Sequence, residues 1–445
     1  MSSGLAVAVR ELRHALAAWR ADAADAELIR TRALNGINEM LSYCRARVPY
    51  YRDGDYPDEP LTSLAELARL PSLTKPEVLR AGVDRFRTPG LAPGRYHRDV
   101  TSGSTGVRLE VWHDVDAYGY HGATVLRRFL RSGYRPWWRI AHIKPYPRPV
   151  RWFQRLGLFP RVVIPAGQPE AALARQVLAT RPGLIMGYPV MLRALLHTFT
   201  DAELTRLRRT LRMVMTDSEL LTDEVAALLA EGFGVPVFDE YSAHEVLTVS
   251  TQCRHGALHV DEDRVWLEIV DDQGRPVPPG TTGSVVVTHY RERAMPLVRY
   301  ALGDRARLLP DGDCPCGSAF RRMRLVDGRV NDFVTLPGGR RVYSAVFLGL
   351  AKQTPGLAEC MVRQDASGQI TVHLIPEPGG DLSFDQVVTA FQNRFDEEVA
   401  AGVRLRFERA ERVALTAGGK GRFVESAYRP DTGHHPDTGH RPDAG

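Results

Sequence analysis

Apolar residues recur at helical spacing along the first fifty positions, at Leu12, Leu16 and Trp19 and again at Ile37, Met40 and Leu41, which predicts helix over residues 5–47. A Pro/Asp/Gly-rich loop follows at 48–60. Ser63, with Glu66 three residues on, marks a capped helix start. Residues 99–113 read as strand, loop and strand, and 116–131 as helix. The stretch 134–153 carries four prolines and several aromatics, a composition for irregular, pocket-lining structure.

From residue 160 the pattern alternates. Short aliphatic runs at 161–166, 183–188, 211–216 and 235–241 are separated by helical periods at 169–180, 189–198 and 222–232. Strands alternating with helices predict mostly parallel sheets flanked by helices. Beyond residue 245 the strands shorten and Gly/Pro turns separate them, as at 265–270 and 284–290, which predicts a β-rich lobe. The pattern changes again at 326–333. A mixed segment follows, with helix at 345–353, strands at 359–364 and 369–375, helix at 383–399 and a strand near 403–408. The expected fold class is therefore α/β: a large N-terminal domain over 1–327 and a small α+β C-terminal domain over 333–428. Residues 429–445 repeat Pro-Asp-(Thr/Ala)-Gly without a large apolar side chain, which predicts a disordered tail whose histidines meet metal only adventitiously.

Composition narrows the function classes. Hydrophobic residues make up 44% and charged residues 25% of 445, values for a chain that can bury a full core without staples. The net charge of +5 is spread along the chain, with no cationic stripe interleaved with aromatics, so no nucleic-acid partner is expected. No window approaches the roughly 20 apolar residues of a membrane span, and the first residues lack a signal-like run, so a cytoplasmic protein is expected. Of 58 basic residues only Lys75, Lys144, Lys352 and Lys420 are lysine, a hint that a point charge is wanted at these places.

Residues 99–110 read DVTSGSTGVRLE, in which Thr101, Ser102, Gly103, Ser104, Thr105 and Gly106 are all hydroxyl-bearing or glycine. Glycines let backbone approach a ligand and turn its amides inward, and hydroxyls add donors, so the run suits phosphate. It lacks the lysine of a Walker A motif, which argues against a P-loop NTPase.

This run resembles the phosphate loop of the adenylate-forming superfamily of acyl- and aryl-CoA synthetases. In the same order, YSAHEV at 241–246 is similar to the superfamily's Tyr-Gly-x-Thr-Glu segment, YALGD at 300–304 to Tyr-Arg-Thr-Gly-Asp, GRVND at 328–332 to the Gly-Arg-x-Asp-Asp hinge, and GGKGRFV at 418–424 to the segment bearing the catalytic lysine. The segments at 48–53, 70–78, 295–304 and 314–317 resemble the phenylacetate-CoA ligase-like branch, which includes relatives associated with capsule biosynthesis. The likeness spans residues 30–428.

The resemblance implies ATP-dependent activation of a carboxylic acid as an acyl-adenylate, followed by transfer to coenzyme A. It implies that residues 101–106 hold phosphates, Glu245 holds Mg²⁺, and Tyr241, with Ser242 beside it, lies against adenine. Asp304 would accept the ribose hydroxyls, Arg329 reach phosphate or ribose, and Lys420 act as a mobile catalytic cation on a C-terminal domain that swings about 328–332. Glu219 lies just past a predicted strand end, where open α/β sheets bind ligands, and reads equally as a first-turn helix acid. Aromatic and apolar residues in 134–153 and 184–220 lean toward an aryl or hydrophobic acid. The chain departs from the pattern at Ser242, His244 and Asn331, and Val107-Arg108 follows the loop. His244, close to where the acyl group and α-phosphate would meet, is a further catalytic candidate. It keeps open a transfer to an amine or other small nucleophile without CoA. A non-catalytic nucleotide-binding homologue is the remaining alternative, against which Lys420, Glu245 and Asp304 stand. The oligomeric state is open, a homodimer included.

Two close pairs of soft ligands suggest a structural zinc site: Cys253 with His255, and Cys314 with Cys316. Zn²⁺ takes four such donors in a tetrahedron. His259 or His255 supplies the fourth, with His259 preferred at the mouth of a predicted strand. Cys44 and Cys360 have no partner pattern and read as core thiols.

Overall fold

A computed structural model of the chain describes residues 2–54, 56–101, 109–144, 150–327, 333–377, 381–411 and 424–428. The described residues fall into two compact units, one containing those up to 327 with Glu411, the other containing 333–410 and 424–428.

In the first unit, β1 (Tyr96–Val100) and β2 (Glu110–Asp114) form an antiparallel hairpin with Val100 opposite Glu110. Eleven further strands form one sheet. They are β3 (Ile140–Lys144), β4 (Arg161–Pro165), β5 (Leu184–Gly187), β6 (Met213–Asp217), β7 (Val237–Ala243), β8 (Leu247–Gln252), β9 (Leu258–Val260), β10 (Val265–Val270), β11 (Gly283–His289), β12 (Tyr300–Leu308) and β13 (Arg322–Asp327). Their order is β10-β11-β12-β13-β9-β8-β7-β6-β5-β3-β4. The run from β7 to β4 is parallel and the rest antiparallel. The parallel strands are continuous apolar runs such as Leu-Ile-Met-Gly, buried at every position, as strands covered on both faces must be. The helix Val115–Arg131, capped by the Asp114 carboxylate, packs Phe129, Val125 and Leu126 onto Leu184, Met186, Met213 and Met215. On the opposite face Gly187 lies against Ile143 and against Leu192 from the helix Pro189–Thr198.

The second unit has β14 (Phe333–Thr335) paired with β15 (Arg341–Tyr343). It also has a four-stranded sheet of β16 (Leu357–Gln364), β17 (Ile370–Pro376), β18 (Arg406–Arg409) and β19 (Val424–Ser426). Phe347 and Phe395, from the helices Ser344–Gln353 and Phe384–Glu398, stack at 5.9 Å in its core. No helix among the described residues is long and apolar enough to cross a membrane.

The α/β class is as the pattern predicts, and four local features differ. Helix 5–47 is two helices, Ser2–Asp22 and Ala26–Arg47, because Asp25 turns out to cap the second through the Leu28 N–H. The segment after Ser63 is a 3₁₀ helix, Leu64–Arg69, and Glu66 takes its hydrogen bonds from Thr62 rather than Ser63. The proline-rich stretch 134–153 contains β3, a fully buried strand that lies between β5 and the edge strand β4. The β-rich strands are continuous with the parallel ones in a single sheet.

Candidate active site

The carboxyl ends of the parallel strands and the loops beyond them gather the polar residues. β7 ends in Tyr241, Ser242 and Ala243, with a register shift between Tyr241 and Ser242 that re-aims the side chains. Tyr241 is buried, and its hydroxyl donates to Asp304 Oδ2 at 2.9 Å. Asp304 is half-buried on β12 after Gly303, whose φ of +80° suits glycine. Two residues past β7, Glu245 accepts from the Tyr300 hydroxyl at 3.2 Å. Strands far apart in sequence thus bring Tyr241, Glu245, Tyr300 and Asp304 together.

The hairpin β1–β2 reaches the same place. Asp99 Oδ2 lies 2.7 Å from His244 Nδ1, which fixes the ring. His113 Nε2 donates to the His244 carbonyl at 2.9 Å, while its Nδ1 faces Glu292 Oε2 at 3.1 Å. Burial opposes the charge on His113, yet the Glu292 carboxylate outweighs it and raises the imidazole above its ordinary range. Glu292 also takes the Asp114 and Ala294 N–H groups. Thr101 is buried at the hairpin's end, where Thr101 N–H donates to the Leu109 carbonyl and Leu109 N–H to Thr101 Oγ1, both at 2.9 Å. These bonds close the base of the loop. Ser102, Gly103, Ser104, Thr105 and Gly106 lie outside the described residues, as do Arg329, the hinge 328–332 and Lys420. Glu219 Oε2 accepts the Val190 N–H at 3.2 Å in the first turn of the helix Pro189–Thr198, away from the Tyr241 group's own bonds.

A buried charged group stands beside these, where the sequence marks only a lone lysine. Lys144, at the end of β3, places Nζ 2.5 Å from Asp217 Oδ1 at the end of β6. His142 Nε2 is 3.5 Å from Asp217 Oδ2. Burial pushes Asp217 up, but Lys144 and His142 prevail and hold it below the carboxylate range. Burial lowers His142 to about 4, so its ring is neutral. On β7, burial with the nearby Asp217 and Glu240 charges raises Asp239 to about 7. A His and a Lys inside the apolar run Ile-Ala-His-Ile-Lys were the available signal.

Elsewhere in the same unit, the donor atoms of Cys253, His259, Cys314 and Cys316 all lie within 4.8 Å of one another. Cys253 Sγ is 3.7 Å from Cys314 Sγ, and Cys316 Sγ 3.3 Å from His259 Nε2. A tetrahedron with Zn–S bonds near 2.3 Å has edges of ~3.8 Å, so the set fits zinc. His259 Nδ1 donates to the Phe320 carbonyl at 2.9 Å, which leaves the Nε2 lone pair for a metal. His255 is exposed, and its Nε2 accepts from Arg254 at 3.1 Å instead.

No family model matches the chain. Among curated proteins it is 27% identical over 391 residues to the phenylacetate-coenzyme A ligase of Thermus thermophilus, covering 80% of this chain and 84% of that one. It is 26% identical over 340 residues to the phenylacetate-coenzyme A ligase of Aromatoleum evansii, 70% of this chain and 72% of that one. It also matches protein CapK of Staphylococcus aureus at 21% over 248 residues, 55% of this chain and 53% of that one. Among solved structures it superposes on 2-hydroxyisobutyryl-CoA ligase in the postadenylation state with TM-score 0.61 at 18% identity, covering 92% of this chain and 91% of that one. That likeness extends the agreement to the fold.

Proposed function

We propose that the chain, similar along most of its length to phenylacetate-coenzyme A ligases, is an AMP-forming acid–CoA ligase of the adenylate-forming superfamily that activates an aryl or other hydrophobic carboxylic acid with ATP and passes the acyl group to coenzyme A. In the first half-reaction the acid's carboxylate oxygen attacks the α-phosphorus of ATP and pyrophosphate leaves. In the second, the CoA sulfur attacks the acyl carbon, the bond to phosphate oxygen breaks, and AMP leaves with the electron pair.

The observation that carries this reading is the pair of hydrogen bonds that join Tyr241 to Asp304 and Tyr300 to Glu245. With one oxygen held by Tyr241, the Asp304 carboxylate is oriented to accept ribose hydroxyls. The flat face of Tyr241 would stack on adenine, beside Ser242. Glu245 would hold Mg²⁺, which neutralises phosphate charge when bound. Residues 101–106 would wrap the β- and γ-phosphates from a hairpin whose base Thr101 closes. Asp99 sets the His244 ring beside the reacting centre. Lys420 would stabilise charge at the α-phosphate in the first half-reaction. Residues 328–332, with Arg329, would then act as the hinge between domains 1–327 and 333–428, which withdraws Lys420 for the second. Glu219, two residues past β6, would belong to the cofactor-binding set. Cys253, His259, Cys314 and Cys316 would hold a structural Zn²⁺ that ties β8, β9 and the loop before β13 together. Dependence on ATP and coenzyme A would suit a cytoplasmic location.

The test is ATP–pyrophosphate exchange over a panel of aryl and aliphatic acids, followed by mass detection of acyl-CoA. Acid-dependent exchange and a CoA thioester are expected. Absence of exchange with every acid overturns the reading; exchange without thioester moves the second step to another nucleophile.

A further inference from the structure

The face of the sheet that packs against the helix Val115–Arg131 changes character toward the carboxyl ends of its strands. Lower down it is apolar, with Leu184, Met186, Met213, Met215 and Phe238 buried together. One step higher it becomes polar. The register aligns His142 with Met186 and Met186 with Met215. Two residues on come Lys144 at the end of β3, Tyr188 just past the end of β5 and Asp217 at the end of β6, and Asp217 pairs with Glu240 on β7, next to Tyr241. The Lys144 ammonium lies 4.8 Å from the Tyr188 ring centre.

This polar row is costly. A buried ion pair is often no better for stability than an apolar pair of the same volume. Lys144 and Asp217 are 5% and 4% exposed. Ser218, whose Oγ donates to Asp217 Oδ1 at 2.9 Å, has a left-handed φ of +69°, a strained geometry for a residue that is not glycine. The arrangement is also incomplete. Asp217 Oδ1 takes Lys144 and Ser218, while the neighbour of Oδ2 is His142 Nε2 at 3.5 Å. His142 is 6% exposed; its Nδ1 has no hydrogen-bond partner among the described residues, and its Nε2 makes only that long approach to Asp217.

The geometry points to a polar recognition site for the body of the acid: Lys144, Asp217 and His142 receive a hydroxyl substituent of the substrate. This rests on the acid-activating reading above and narrows its substrate class to hydroxylated acids. A hydroxyl donates to Asp217 Oδ2 and accepts from His142 or Lys144, so it completes the set without adding charge. An ammonium group would face Lys144, and a second carboxylate would face Asp217, each at a cost. An unsubstituted ring would leave the polar groups buried and unpaired.

The test compares exchange for matched acids that differ in one substituent: hydroxyl, hydrogen, ammonium and carboxylate. The wild-type protein is expected to favour a hydroxy acid over its deoxy counterpart by roughly 100-fold or more in kcat/KM. Single substitutions strand a buried charge, so the variant is Lys144→Met/Asp217→Leu, with Lys144→Arg as a second that keeps the ion pair. The double variant should shrink the hydroxy-to-deoxy ratio at least tenfold, while the KM for ATP moves less than threefold. A wild-type protein that activates acids with no hydroxyl preference overturns this inference and leaves the activation reading standing, and so does a preference that survives in the double variant. Activation of no acid at all overturns both.

Discussion

Tyr241→Phe removes one oxygen atom, and its effect can be worked from the structure. The Tyr241 ring is 7% exposed and belongs to the main core of its unit, so phenylalanine fills the same space. What is lost is the 2.9 Å bond to the Asp304 carboxylate. A hydrogen bond to a charged group is worth about 1.5–3 kcal/mol net. If Asp304 reads ribose, that energy orients the carboxylate for ATP, and its loss lowers kcat/KM for ATP by roughly 10- to 100-fold. The acid touches neither atom, so its KM should change less than twofold. Exchange assays with ATP and with 2′-deoxy-ATP separate the cases: the variant should also discriminate less between the two nucleotides. A double-mutant cycle with Asp304→Asn should return a coupling energy of about 1 kcal/mol or more. Equal shifts in the two substrates' KM, or additive single effects, refute the assignment of Asp304 to ribose.

Three further outcomes are expected. Purified protein should carry one zinc per chain by plasma emission spectrometry; Cys316→Ser and His259→Ala should lose it and lower the Tm, whereas His255→Ala should keep it. Lys420→Ala should depress adenylate formation by roughly 10²–10³-fold while nucleotide binding, read by calorimetry, stays within a few-fold. Folding raises Asp239 to about 7, so its contribution to stability is whole below about pH 4 and is lost as pH rises through 7. Asp239→Asn keeps an acceptor for the Thr216 hydroxyl and should gain up to about 4 kcal/mol on the native protein at pH 8, with no gain at pH 4, by denaturant titration at both values.

The legible parts of the chain were those in which one local rule decides. Leu-Ile-Met-Gly and Met-Val-Met-Thr are buried on both faces, so an apolar run is the whole signal, and both strands fall where that run lies. The residues His259, Cys314 and Cys316 were found because metal chemistry prefers short spacings of soft donors. Local rules failed where a tertiary partner decides. Prolines around 134–153 argued for irregular backbone, but they flank Ile140–Lys144, and burial between β4 and β5 makes those five residues a strand. Thr62 outcompetes Ser63 for Glu66 because its N–H and hydroxyl both reach the carboxylate. The antiparallel strands looked like a lobe, since a sequence pattern gives strand type and says nothing of the edge that β8 and β9 share with β7.

The site follows the same division, and it explains why the odd residue in YSAHEV reads as purposeful. A histidine in a loop is ordinarily mobile. Here the ring is held at Nδ1 by Asp99 on β1, and the backbone is held by His113 on β2, itself backed by the buried Glu292. Both anchors come from the hairpin that also carries the glycine-and-hydroxyl loop. The hairpin therefore sets the orientation of His244 from the same two strands that flank residues 102–108. Asp99 sits at the start of the DVTSGSTGVRLE run but outside its glycine-and-hydroxyl core, and His113 and Glu292 lie in segments with no motif; all three acquire their roles only when β1 and β2 are laid against the end of β7. A change that slides the hairpin by one residue would turn Asp99 and His113 away together, since successive side chains on a strand face opposite sides. Loop position and His244 orientation should accordingly fail as a unit.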